Sequence, residues 1–282
     1  MKNIKDQIQP YLDRKLCTMK QSTTFPDLYV VKYARRVFYD NLFDSFLAEC
    51  RGLVVDKNFD VIVHPLTKMF NYGENGWFPS SGLDDKIYAT LKYNGFMLSV
   101  TLHPTYGMIF STTGSLDSDY VKLGIDMYAK FEHLVPRPEM GVTQVFECCT
   151  PKDPHIIQET EGLYYLGRRK DGVYETNLDS LFETTLAELF KNLDDVEGWV
   201  CYNDTEVWKI KTPRYLRKKF FARANNLHNA INKAHTALTD YYSLFDEDFY
   251  GIVDFVKTHA EEMGTMTEFD RIKFLDEKYF GI

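Results

Sequence analysis

Thr90-Leu91-Lys92-Tyr93-Asn94-Gly95 ends a strand-like run on a lysine and turns three residues later at a glycine. A lone K-x-x-G means little, because a chain with this much lysine and glycine contains about one by chance. Its weight comes from ordered companions. Upstream lie Glu49-Cys50-Arg51-Gly52-Leu53-Val54-Val55 and Lys68-Met69-Phe70-Asn71. Downstream come Phe146-Glu147, Tyr165-Leu166-Gly167-Arg168, Glu197-Gly198-Trp199-Val200 and Trp208-Lys209-Ile210-Lys211. The chain has no GxxxxGK[ST] and no GxGxxG after a strand, so a nucleotide enzyme built on it must hold phosphates with side chains.

Around these blocks the hydrophobic pattern is mixed. Ile4, Ile8, Leu12 and Leu16 recur at four-residue spacing and predict a helix over 4–20, Pro10 notwithstanding. From 29 to about 112 the texture is strand-like. Runs 53–56 and 61–63 flank a polar turn, and runs 96–101 and 108–112 flank another, so two hairpins are expected. Further strands are expected at 143–147, 163–167, 198–202 and 206–211, and helices near 119–134 and 179–193. After Pro213 the apolar spacing is helical through Leu216, Phe220, Leu227, Ile231 and Leu238, with a terminal helix over 267–279. The expected organisation is an α+β body at 1–212 followed by a small all-α domain at 213–282.

Bulk properties bound the function. The 282 residues are 44% hydrophobic and 26% charged, ordinary for a globular protein with a substantial core. No apolar run approaches the roughly 18 residues of a membrane span, and the charged N-terminus lacks the apolar stretch of a signal peptide. Five cysteines with no CxxC pair argue for a reducing cytoplasm and against disulfides or structural zinc. The net charge of −8 opposes nucleic-acid binding over the whole surface. Its distribution qualifies that: residues 209–223 hold seven basic side chains and no acidic one, whereas 240–282 hold eleven acidic against four basic. Such a cationic strip suits a local grip on phosphate, and a solvated helix face explains it equally well.

A nucleophilic lysine must act unprotonated, and neighbouring cations favour that form. Lys209 and Lys211, two residues apart on a strand, share one face. A turn at Asn203-Asp204-Thr205 would pair residue 202 with 206, setting Glu197 opposite Lys211 and Trp199 opposite Lys209. Arg51, at the open end of the first hairpin, and Lys68 beyond it offer a bidentate fork and a point charge for phosphate. Asp246-Glu247-Asp248 reads as a solvated loop. His64 and His155 read as structural, and one of Cys148 and Cys149 is expected to face the core.

The ordered blocks resemble the collinear motifs of the covalent nucleotidyltransferases, polynucleotide ligases and RNA capping enzymes among them. The E-C-R-G and K-x-F-N elements are similar, more narrowly, to those of the ATP-dependent single-strand RNA ligase of T-even bacteriophages and its relatives, over roughly residues 30–215. That resemblance implies a nucleotidyltransferase fold with antiparallel sheets and a Lys92 that attacks ATP to form lysyl-AMP. AMP would pass to an RNA 5′-phosphate, and the 3′-hydroxyl end would displace it. It further implies Glu147 on the ribose, Glu197 placing a metal or the lysine, and Lys209 and Lys211 on phosphate. Arg51 and Lys68 would hold the β- and γ-phosphates, Tyr33 would contact the nucleotide, and Asp240 would bind Mg²⁺. Expected partners are ATP, Mg²⁺ and RNA bearing 5′-phosphate and 3′-hydroxyl ends, nicked tRNA in RNA repair among the candidates. A monomer without membrane attachment is expected, in the cytoplasm, or in the host's if phage-encoded.

Two positions depart from the family pattern. K-x-D-G appears as Lys92-Tyr93-Asn94-Gly95, and S-K-G-S as Thr112-Thr113-Gly114-Ser115, without its lysine. These leave open a capping-type nucleotidyltransferase and an RNA- or nucleotide-binding protein that kept the scaffold with altered catalysis.

Overall fold

The structure, a computed structural model, describes residues 3–192, 194–222 and 225–281. Arg223, the last cation of the basic run, lies outside them. The strands, in chain order, are β1 (Cys17–Gln21), β2 (Leu28–Tyr33), β3 (Arg51–Asp56), β4 (Val61–Val63), β5 (Phe70–Asn71), β6 (Ile87–Lys92) and β7 (Phe96–His103). They continue as β8 (Gly107–Ser111), β9 (Thr143–Cys149), β10 (Gly162–Lys170), β11 (Val173–Thr176), β12 (Phe182–Thr184), β13 (Gly198–Tyr202) and β14 (Val207–Lys211). The chain forms two compact units, one of 1–38, 42–68 and 93–180, the other of 39–41, 69–92 and 181–282.

The first unit holds two antiparallel sheets, ordered β1-β2-β3-β4 and β11-β10-β9-β7-β8. Strand β2 is apolar on both faces. Val31 and Tyr33 enter a cluster with Ile4, Ile8, Leu47 and Leu53, while Leu28 and Val30 meet Val54, Val63, Ile109 and Leu116. Both expected hairpins are present, as β3–β4 and β7–β8. The N-terminal helix is shorter than its pattern predicts, spanning Lys5–Asp13. Lys15 turns into the left-handed region (φ 55°), the Leu16 amide bonds back to the Tyr11 carbonyl, and Leu16 and Cys17 bury as the chain enters β1.

The second unit holds a sheet ordered β12-β6-β13-β14-β5, antiparallel except where β14 meets β5. The helix expected over 179–193 is Leu186–Lys191 alone, because Phe182–Thr184 pairs with β6 as an edge strand. Thr185 and Glu188 form a capping box that fixes the helix start, a T-x-x-E signal already present in the sequence. From Pro213 onward the described elements are helical, packed around Phe220, Tyr241, Phe249, Val253, Met263 and Leu275. Among the described residues no helix is long and apolar enough to cross a membrane.

Candidate active site

Alternation along β6, β13 and β14 divides the second unit's sheet into a core face and a chemical face. Leu91, Trp199 and Ile210 form one row across the strands, and Ala89, Cys201 and Trp208 the next. These rows carry the apolar side packed on Leu186 and Leu189 of the following helix. The intervening rows are Lys92–Gly198–Lys211 and Thr90–Val200–Lys209, the latter continued by Asn71 on β5. Opposed residues share a face, so Lys92, Lys209 and Lys211 stand together on the side away from the core.

This register differs by one residue from the expected hairpin. Tyr202 pairs with Val207 rather than with 206, so Lys211 lies opposite Gly198, and Trp199 opposite Ile210 rather than Lys209. The cause is a four-residue turn. The Asn203 amide bonds to the Glu206 carbonyl, and Asn203 Oδ1 accepts from the Thr205 and Glu206 amides. Glu206 is held out of the strand by Ser80 and by Asn203 Nδ2.

Glu197, one residue before β13, still reaches Lys211. Its Oε1 lies 3.0 Å from Lys92 Nζ and 3.0 Å from Lys211 Nζ, with the carboxylate side chain only 3% exposed. Burial alone would push the Glu197 carboxyl up, but the Lys92 and Lys211 ammonium groups outweigh it and hold it below the ordinary value. Lys211 also meets Asp248 Oδ2 at 2.5 Å, and Lys219 meets the same oxygen at 2.6 Å. Burial would lower the Lys211 ammonium, yet the carboxylates of Asp248 and Glu197 raise it. Charges thus alternate as Lys92–Glu197–Lys211–Asp248–Lys219.

Asp248 corrects the reading of 246–248 as a solvated loop. Its side chain is 4% exposed, it accepts from Asn71 Nδ2 at 3.2 Å, and it joins a 3₁₀ turn whose Phe249 is fully buried in the helical core. The sequence signal was the aromatic pair Phe245 and Phe249 flanking the acids, which anchors the turn against the helices.

Asp240, by contrast, is exposed in the first turn of the helix Leu238–Tyr242, and its carbonyl accepts from Ser243 Oγ. Among the described residues no three or more His, Cys, Asp or Glu side chains gather to hold a metal. A magnesium cage built by the protein alone does not fit these residues.

In the first unit, Gly95 follows the lysine motif into β7. A methyl there would lie 2.2 Å from the Cys148 carbonyl oxygen, so only glycine lets the turn approach β9 this closely. The Gly95 amide donates to Glu147 Oε1 at 3.2 Å. Tyr93 stacks on Tyr164 with centroids 3.8 Å apart. Asn94 is buried, its Oδ1 accepting from the Ile157 amide at 3.0 Å, and its own amide donates to Glu159 Oε1 at 3.3 Å. A carboxylate therefore stands beside Asn94, although the motif itself has lost one. Cys148 and Cys149 are both buried.

Arg51 opens β3, its Nη1 3.5 Å from Met97 Sδ. The next residue, Gly52, has φ 90°, and a methyl on it would lie 2.8 Å from the Thr113 Cα. The E-C-R-G and T-T-G-S elements are thereby in close contact. Tyr33 is buried edge-on to Phe38 and Phe43, and the Lys68 ammonium sits 5.3 Å from both of those rings. Glu49 belongs to a part-buried network with His64 (2.8 Å), Thr67 (2.9 Å) and Arg169 (2.9 Å), which assigns His64 a structural part. His155 pairs with Asp153 at 2.8 Å.

The structure thus gathers Lys92, Glu197, Lys209 and Lys211 in the second unit and joins Gly95 to Glu147, Arg51 to the Thr113 turn, and Tyr33 to Lys68 in the first. Two solved structures described as an archaeal ATP-dependent RNA ligase, form 2 and form 1, have a similar fold. Identity is 9% in both, over 97% of this chain and 79% of that one (TM-score 0.52), and over 98% and 80% (TM-score 0.53). A protein of Aquifex aeolicus described as an ATP-dependent DNA ligase is similar at 13% identity over 96% of this chain and 76% of that one, with a TM-score of 0.54. These likenesses concern the fold. The RNA ligase family model matches residues 49–190, half of the chain, from E-C-R-G through the lysine motif to the helix beneath the site sheet. The chain therefore belongs to the RNA ligase family, as an enzyme that joins RNA.

Proposed function

We propose that Lys92 is the nucleophile of this RNA ligase. Its Nζ attacks the α-phosphorus of ATP, forming an N–P bond as the bond to pyrophosphate breaks and the amine gives up its proton. The RNA 5′-phosphate then takes AMP from the lysine, and the 3′-hydroxyl attacks the activated phosphate, sealing the strand and releasing AMP. The single observation that carries this reading is the Lys92–Glu197–Lys211 triplet, with one carboxylate oxygen 3.0 Å from each ammonium. Glu197 orients the attacking nitrogen and is an acceptor within reach of its proton. Lys209 and Lys211 offset negative charge on the transferred phosphoryl group.

The remaining roles follow the resemblance: Glu147 on the ribose, Arg51 and Lys68 on the β- and γ-phosphates, Tyr33 against the nucleotide, and Asp240 near a metal. Magnesium neutralises phosphate charge in such transfers and is usually held by one or two carboxylates together with substrate oxygens, so it would arrive on ATP. We assign adenylyl transfer to residues 1–212 and a supporting part to the helices of 213–282. The natural substrate is a broken RNA such as nicked tRNA, handled by a monomer in the cytoplasm. Incubation with α-labelled ATP or GTP, followed by circularisation of 5′-phosphorylated single-stranded RNA, tests the reading. Covalent label from ATP and closed circles are expected; label from GTP alone would point to capping chemistry and refute it.

A further inference from the structure

Lys32 takes no part in the assignments above. It lies on β2 between Val31 and Tyr33, both buried in one cluster of the first unit, and is itself exposed on the other face. Its register partner on β3 is Arg51, where the pairing shifts by one residue so that Gly52 is the extra residue between this pair and Val31–Leu53. Beside them is the Thr112–Ser115 turn, closed by the Thr112 amide on the Ser115 carbonyl at 3.0 Å. A methyl on Gly114 would lie 3.6 Å from Lys32 Nζ, and one on Gly52 would lie 3.0 Å from the Thr112 carbonyl oxygen. Strands and turn therefore fit tightly, with Lys32 lying over the turn.

Two features mark this place as an anion site. Among the described residues neither cation has a carboxylate partner, and Arg51 reaches only a thioether. The turn also lacks a cation of its own, because Thr113 stands where the family pattern has lysine. Lys32 reaches the turn from the neighbouring strand, with its Nζ beside Gly114.

We propose that Lys32, with Arg51 and the Thr112–Thr113 hydroxyls, forms a phosphate-binding subsite in which Lys32 replaces the cation missing from the turn. The ligand is a phosphate oxyanion, drawn from either of two sources: the polyphosphate of ATP or the 5′-phosphate of RNA. The reading rests on the RNA ligase assignment for the identity of these ligands.

The test is titration of wild type, Lys32→Ala, Lys32→Arg and the Lys32→Ala/Thr113→Lys double variant. The probes are ATP and an RNA oligomer carrying either a 5′-phosphate or a 5′-hydroxyl. A charged hydrogen bond contributes about 1.5–3 kcal/mol, or roughly ten- to a hundredfold in affinity. Lys32→Ala is expected to lose that much for one probe, with affinity recovered by Lys32→Arg and by the double variant. Loss confined to ATP assigns the polyphosphate. Loss confined to the 5′-phosphorylated oligomer assigns the RNA end. Affinities within twofold of wild type for both probes, or an equal loss with 5′-hydroxyl RNA, overturn the proposal. Binding requires no adenylate on Lys92, so failure of the nucleophile assignment leaves this test intact. Because Lys32 is exposed, unfolding curves of the variants are expected to overlay that of wild type.

Discussion

Replacing Glu197 by alanine leaves Lys92 and Lys211 facing each other across Gly198 without the oxygen that each meets at 3.0 Å. Removing one partner of a buried ion pair costs about 3–5 kcal/mol. Here two features reduce that: Lys211 keeps Asp248 at 2.5 Å, and the Lys92 side chain, 21% exposed, regains water. The expected loss is about 2–4 kcal/mol at neutral pH, and smaller for Glu197→Gln, which retains an acceptor. Denaturant unfolding followed by tryptophan fluorescence reads this directly, since Trp77, Trp199 and Trp208 all belong to the cluster beneath this sheet. The Glu197 carboxyl lies below its ordinary value of 4.5 in the folded protein. Its contribution is therefore complete above that pH and disappears as pH falls through the folded value. The gap between wild type and Glu197→Ala should accordingly narrow in acid. A loss under 1 kcal/mol at neutral pH, or a gap that persists undiminished to pH 3, would refute the shared-carboxylate account.

Two further perturbations address the first unit. Gly95→Ala places a methyl 2.2 Å from the Cys148 carbonyl oxygen, which should cost about 3 kcal/mol or more; a melting temperature equal to wild type would contradict the close approach. Asp117 accepts from Ser22 Oγ and from the Thr23 and Thr24 amides, at 2.8, 3.1 and 2.9 Å. Asp117→Ala should lose about 1–3 kcal/mol in denaturant unfolding. Although burial pushes the Asp117 carboxyl up, those bonds hold it at about 2. Its stabilising effect is full above about pH 4 and lost towards pH 2, so the variant's stability should vary less with pH across that window.

What the sequence revealed, and what it hid, follows from the range of the forces involved. Strand pairs with a polar turn between two apolar runs were readable because alternation and turn chemistry are local, as at β3–β4 and β7–β8. The row order at the site was not, because the β13–β14 turn is lengthened by Glu206 reaching Ser80, far away in sequence. A one-residue change in a turn moves every side chain by one register position, and Glu197 reaches Lys211 from just outside the paired region. Asp248 looked like a surface acid by composition, but its burial depends on Lys211 and Lys219 being presented by a strand and a helix that local pattern cannot bring together. Lys32 gave no signal at all: it is a single lysine within an apolar strand, and only the fold puts it beside Gly114. Lys92 was the opposite case, because order and spacing of several weak motifs already single it out as the proposed nucleophile.

The most direct measurement is the intact mass of the protein after incubation with ATP and Mg²⁺, followed by peptide mapping. The account predicts a gain of one adenylyl group, located on Lys92 and absent from Lys92→Ala. An unchanged mass, or an adenylate that persists in Lys92→Ala, would contradict it.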